Sequence, residues 1–216
     1  DNLDIYYRMG SSNYFGVNGK SDASDIAYLI DIKSGTIGMN FFDNNSNSAS
    51  RGYSGIYVGG LTVNANTQSD DISSRIIVVE GGNIANIIGG LRITEDSGDN
   101  GVNTKIYVKN GSVQNIVGGA GVSTTYGNRY ISVTGGDIAY SISGGSNGVA
   151  ATNETNQSGR LGGDSYVHVG GEAHIGTNGS GTLYDVNYGS VLGAGNGNSD
   201  YQTSGRVNTS HVYISG

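Results

Sequence analysis

Residues 106–119 read IYVKNGSVQNIVGG, and the same phrase stands at 77–90 as IVVEGGNIANIIGG and at 131–145 as ISVTGGDIAYSISGG. Each copy opens on aliphatic–x–aliphatic, passes a Gly, takes one more aliphatic residue, and closes on Gly-Gly. Working outward, the opening pattern recurs at Leu3-x-Ile5, Ile30-x-Ile32, Val167-x-Val169 and Val212-x-Ile214. Internal repetition of this length is the mark of a solenoid, in which one supersecondary unit stacks on the next.

Alternation with period two sets Ile77 and Val79 on one face of a strand and Val78 and Glu80 on the other. The inward residues are Ile, Val or Leu in every copy, and β-branched side chains suit a half-buried pleated surface. No segment sustains a helical period. A chain that returns to the same face after each turn pairs equivalent strands in parallel, and a coil of short strands does so without crossover helices.

The expected fold is therefore all-β, a single-stranded parallel β-helix (β-solenoid) forming one domain over residues 1–216. It has about six rungs plus a terminal strand, with irregular loop insertions. A third inward column is expected at Ile37, Ile84, Val113, Ile138 and Ile175, each set just beyond a corner. Gly35, Gly82, Gly111 and Gly136 make that corner, and Gly-Gly pairs such as 89–90 and 118–119 make the next. The interval from 106 to 131 approximates the bare coil. Longer intervals hold insertions near 43–55, 146–163 and 176–190, rich in Asn, Ser and Gly.

Gly contributes 39 of the 216 residues, while Pro, Cys and Trp are absent. That rules out a disulfide framework without ruling out secretion. Eighteen acids against 11 bases give a net charge of −7. With no basic run to neutralise phosphates, nucleic acid is not an expected partner. No apolar stretch reaches the roughly 18–20 residues of a membrane-spanning helix. The opening on Asp1 and the wealth of Asn, Ser, Thr and Gly suit an extracellular, cell-surface location. Sequons at Asn44, Asn110, Asn153, Asn156, Asn178 and Asn208 are candidate N-glycosylation sites.

The coil resembles the right-handed parallel β-helix proteins, which include pectate lyases, other polysaccharide-degrading enzymes and many bacterial surface adhesins. The cadence ISVTGGDIAYSISGG is similar to the Gly-Gly-punctuated repeats of bacterial surface proteins. Enzymes of that fold gather several Asp with calcium and a basic residue on one exposed sheet, or pair carboxylates at catalytic separation. Here the outward positions hold Val78, Tyr107, Ser132, His168 and Tyr213, with acids only at Asp4 and Asp31. A non-enzymatic role without a cofactor is the expectation.

Outward residues supply the remaining candidates. Lys33, Glu80 and Lys109 should alternate in charge along one face. Tyr107, Tyr130, Tyr166 and Tyr213 could contact a glycan or another subunit. Glu95, Asp96 and Asp99 gather oxygen ligands beside Gly, a candidate site for structural Ca²⁺ without EF-hand spacing. His168 and His211 could approach one another near Glu172, a loose basis for a metal site.

The strand patterns at Leu3 and Ile5, and at Val212, Tyr213 and Ile214, carry no polar cap. They are candidate assembly strands, with another copy of the chain as the partner. The leading expectation is an extracellular structural subunit that assembles head to tail into a fibre, sheath or stalk. The alternative is a carbohydrate-binding adhesin module, whose partner is a polysaccharide. The third is a calcium-dependent polysaccharide lyase.

Overall fold

The computed structural model describes residues 4–5, 26–38, 55–57, 72–90, 103–120, 125–146, 162–177, 189–195 and 205–216. Within them lie thirteen strands and no helix. In chain order these are β1 (Asp4–Ile5), β2 (Ile26–Ile32), β3 (Thr36–Ile37), β4 (Ile56–Tyr57), β5 (Ile72–Val79), β6 (Asn83–Ile88) and β7 (Asn103–Val108). There follow β8 (Ser112–Val117), β9 (Arg129–Ile138), β10 (Ile142–Ser143), β11 (Ser165–Ile175), β12 (Val191–Leu192) and β13 (Ser210–Ile214). They form one curled sheet in which every pairing is parallel, a partly solenoid-like arrangement.

The pairings resolve into three rows. The first runs β2, β5, β7, β9, β11, β13. The second runs β1, β3, β6, β8 and then the C-terminal ends of β9 and β11. The third runs β4, the end of β6, the end of β8, β10 and β12. Hydrogen bonds cross the corners as well: Asn83 N donates to Gly35 O at 2.8 Å, Ser112 N to Gly82 O at 2.8 Å, and Asp137 N to Gly111 O at 2.8 Å.

In-register pairing turns the repeated pattern into buried columns. Ile77, Ile106, Ile131 and Val167 form one, and Ile32, Val79, Val108, Val133 and Val169 a second. The expected third column is present, with Ile37 paired to Ile84, Ile84 to Val113, Val113 to Ile138 and Ile138 to Ile175. Each fully buried member contributes about 1.5–3 kcal/mol relative to exposure.

A fourth column was not expected from the sequence. Ile56, Ile87, Ile116 and Ile142 are buried on it and Val191 half-buried. It sits three residues past the third column at 84–87 and 113–116 but four past it at 138–142. That irregular step hides it from a search for alternation.

One expectation is corrected. Leu3-x-Ile5 was read as a copy of the first-row strand. Instead Asp4 pairs with Thr36 and Ile5 with Ile37, so Ile5 belongs to the third column in the second row. Leu3 lies outside the described residues. The aliphatic–x–aliphatic pattern alone does not specify a row, because the second row also needs an aliphatic residue inward.

Two glycine positions explain the punctuation. Gly136 turns the corner at φ 83°, a left-handed conformation that costs L-residues about 1–2 kcal/mol. Gly118 is needed for closeness: a Cβ there would lie 2.5 Å from the carbonyl oxygen of Gly144 in the next repeat.

Candidate assembly edge and outward ladders

β13 ends the first row. It pairs with β11 through Ser165↔Ser210, Val167↔Val212 and Val169↔Ile214, and no described strand pairs with its other edge. Ser165 N donates to Thr209 O at 2.8 Å and Ser215 N to Val169 O at 2.9 Å. Because backbone groups in a parallel strand alternate sides, Tyr213 and Ser215 face β11 while the N–H and C=O of Val212 and Ile214 face the open edge. The side chains on both faces are open to solvent: Val212 is 45% exposed, Tyr213 65% and Ile214 66%. An uncovered strand edge with apolar side chains is a template for a further strand. Of the expected assembly residues, then, Val212, Tyr213 and Ile214 lie on this edge, Ile5 lies in the second row, and Leu3 falls outside the described residues.

The outward side of the first row carries an aromatic stack. Lys105, Tyr130, Tyr166 and His211 share one register position in successive strands. The Tyr130 and Tyr166 rings lie 4.8 Å apart at an interplanar angle of 6°, and those of Tyr166 and His211 4.7 Å apart at 3°. Lys105 Nζ stands over the Tyr130 ring, 6.0 Å from its centroid. Sugars stack on open ring faces, whereas both faces of Tyr166 are covered by neighbouring rings. Burial and the nearby Asp164 carboxylate push the Tyr166 hydroxyl pKa up.

Two positions on, Tyr107, Ser132, His168 and Tyr213 share a register. His168 Nδ1 lies 3.3 Å from Ser132 Oγ and Nε2 lies 3.2 Å from Ser215 Oγ, and its ring tilts against Tyr213 with centroids 5.2 Å apart. The expected approach of His168 to His211 does not occur, because His211 pairs with Tyr166 and His168 with Tyr213. A two-residue offset in register sends their side chains to different positions. Among the described residues no group of three His, Asp or Glu converges as a metal site.

The charge ladder forms as the spacing implies. Lys33 Nζ lies 3.0 Å from Glu80 Oε2, and Lys109 Nζ 2.9 Å from Glu80 Oε1. Lys33 also reaches Asp31 at 3.3 Å. The bonds from Lys109 and then Lys33 hold the Glu80 carboxyl below its ordinary range, and Glu80 in turn raises Lys33. These groups are solvated, so the ladder reinforces register more than it adds stability.

A polar ladder that the sequence reading missed guards the corner entering the first row. Asn128 N donates to Asn103 Oδ1 at 2.9 Å, Asp164 N to Asn128 Oδ1 at 2.9 Å, and Asn208 Nδ2 to Asp164 Oδ1 at 2.7 Å. The Asn208 bond is the main cause that lowers the Asp164 pKa. The signal was available: Asn103, Asn128 and Asp164 each stand three residues before the first inward aliphatic residue. Just inside the same corner, Thr104 and Ser165 donate to the carbonyls of Gly89 and Gly193. Arg129 is fully buried between them in register, its Nη1 donating to Asn128 O at 3.2 Å.

Of the candidate sequons, Asn110 and Asn208 are exposed, and Asn208 is engaged with Asp164. Asn44, Asn153, Asn156 and Asn178 lie outside the described residues, as do Glu95, Asp96 and Asp99 of the candidate calcium loop. Among the described residues no helix is long and apolar enough to cross a membrane.

Comparison with known proteins adds no relative: no protein-family model, no curated protein and no solved structure matches the chain.

Proposed function

We propose that the chain is a single-stranded parallel β-helix of about six rungs, and that it serves as an extracellular structural subunit assembling head to tail into a surface fibre, sheath or stalk. Support for the coil comes from register. One column of inward residues passes through six strands of the first row without a slip, from Ile30 to Val212. Three rows joined by Gly corners make each repeat one turn.

The observation that carries the assembly reading is the open edge of β13, where Val212, Tyr213 and Ile214 are exposed. Burying such an edge against a different edge of another copy stabilises both, and a contact between two different surfaces of one subunit propagates into a filament. The acidic surface, rich in Asn and Ser, suits a solvated exterior. Negative-stain microscopy of the purified chain over a range of concentrations tests the reading. Unbranched fibres one coil wide are expected above a critical concentration. A strictly monodisperse monomer at high concentration would overturn it.

A further inference from the structure

The rings of Tyr130 and Tyr166 lie face to face in neighbouring strands of the first row, 4.8 Å between centroids and 6° from parallel. Register fixes the pair: Tyr130 of β9 stands opposite Tyr166 of β11, with no slip from Arg129 to Val133. Their hydroxyls are tethered alike, each by the residue two positions before it. Asn128 Nδ2 donates to the Tyr130 oxygen at 3.4 Å, and the Tyr166 hydroxyl donates to Asp164 Oδ2 at 3.4 Å. Equivalent tethers aim both phenols the same way and bring the ring carbons beside the two hydroxyls next to one another.

We propose that Tyr130 and Tyr166 are a modification site, where one-electron oxidation joins the two rings as a dityrosine and staples successive repeats of one chain. The reagent class is hydrogen peroxide acting through a haem peroxidase. Each phenol gives up one electron and one proton, and the two phenoxyl radicals form a carbon–carbon bond between positions ortho to oxygen. The hydrogens on those two carbons then move to the oxygens as the rings regain aromaticity. The chain loses two hydrogen atoms in all, and peroxide takes them up as two waters.

Three features favour coupling at this place. The Tyr166 proton has an acceptor in position, the Asp164 carboxylate, itself held by Asn208 Nδ2 at 2.7 Å. A radical on either ring meets the other at stacking distance, a local concentration that a ring on a separate molecule does not reach. Both side chains point outward and are half-buried, so they can hinge from face-to-face to edge-to-edge as the bond forms. Tyr107 supplies the contrast: it too is outward and half-buried in this row, but Val78 and Ser132 are its register neighbours. The chain has no cysteine, and the link gives it the kind of cross-strand constraint a disulfide gives elsewhere. The inference is independent of assembly, since both rings belong to one chain.

Illumination of the dilute chain with a tris-bipyridyl ruthenium complex and persulfate, a small one-electron oxidant, tests the site. Dityrosine fluorescence should appear while the chain still migrates as a monomer on a denaturing gel. The yield per chain should not depend on protein concentration, and peptide mass spectrometry should find Tyr130 joined to Tyr166. Tyr130→Phe and Tyr166→Phe keep a stacked ring but remove a phenol, so each should lose most of the intrachain signal. Tyr107→Phe should leave it unchanged. Solvent access alone would choose differently, because Tyr126 is 55% exposed and Tyr213 65%, and such rings would couple between chains.

Intrachain dityrosine that persists undiminished in Tyr130→Phe and Tyr166→Phe would overturn the proposal, as would coupling confined to multimers. The proton acceptor has its own readout. Asp164→Asn should slow coupling several-fold at neutral pH, with the gap closing toward about pH 10, where phenols ionise unaided. Equal rates at neutral pH would take that role from Asp164.

Discussion

Ile106 and Val108 in β7 are inaccessible to solvent, whereas Val212 and Ile214, at the same two register positions in β13, are 45% and 66% exposed. The residues are of one kind and the strands pair in one way. What differs is the number of neighbours: among the described residues β7 has strands on both sides, β5 and β9, and β13 has β11 alone. Burial in this fold is thus a property of place in the row, and an aliphatic pair that makes core in the middle lies exposed on β13.

The sharpest way to break that comparison is to truncate both members. Ile106→Ala should cost the monomer about 2–5 kcal/mol in denaturant unfolding, since a cavity opens between two filled strands. Ile214→Ala should cost under about 1 kcal/mol, because little transfer energy is lost at an exposed site. Its effect should fall on assembly instead. Equal losses of monomer stability would mean that β13 is already covered.

The corner between rows should also behave as a central feature. Gly136→Ala sets a Cβ on backbone at φ 83° and against the carbonyl oxygen of Gly111. It should destabilise by more than the roughly 1–2 kcal/mol of left-handed backbone alone, seen as a lower thermal midpoint.

A smaller contrast lies in the aromatic stack. Tyr166, held between Tyr130 and His211, makes two stacked contacts, and Tyr166→Ala should cost about 1–3 kcal/mol from these. Tyr213, with one tilted contact to His168, should cost about 0.5–1.5 kcal/mol when truncated. Calorimetry of the two variants checks the order.

The least effect is expected from the charge ladder. Glu80 is held below its ordinary value of 4.5 by Lys109 and Lys33. Its contribution is therefore present above that value and lost as pH falls through the lower value of the folded chain. Thermal midpoints of the natural chain should fall more steeply than those of Glu80→Gln between about pH 6 and about pH 3. Parallel curves would show that the ladder contributes no pH-dependent stability.

Much of the middle of the molecule was legible because alternation and Gly spacing are one-dimensional signals. Three inward columns and the Lys33–Glu80–Lys109 alternation follow from counting residues. The fourth column did not, because the step from Ile138 to Ile142 is longer than that from Ile84 to Ile87. Ile5 was assigned to the wrong row because a short aliphatic pattern fits either row, and only hydrogen-bond register tells them apart. Contacts between repeats were less visible still. That Tyr166 meets His211 while His168 meets Tyr213 depends on alignment to a single residue across a long insertion. The Asn and Asp ladder at the corner was written in the spacing but not in hydrophobicity.

The central claim is that the free edge of β13 is covered by another copy. Hydrogen exchange at the amides of Val212 and Ile214 tests it most directly, since both point to the open edge. In dilute monomer they should exchange as rapidly as unpaired groups. Under conditions that form fibres they should become protected, approaching the amides of β7 in the centre. Fibres in which these two amides stay as unprotected as in the monomer would contradict the account.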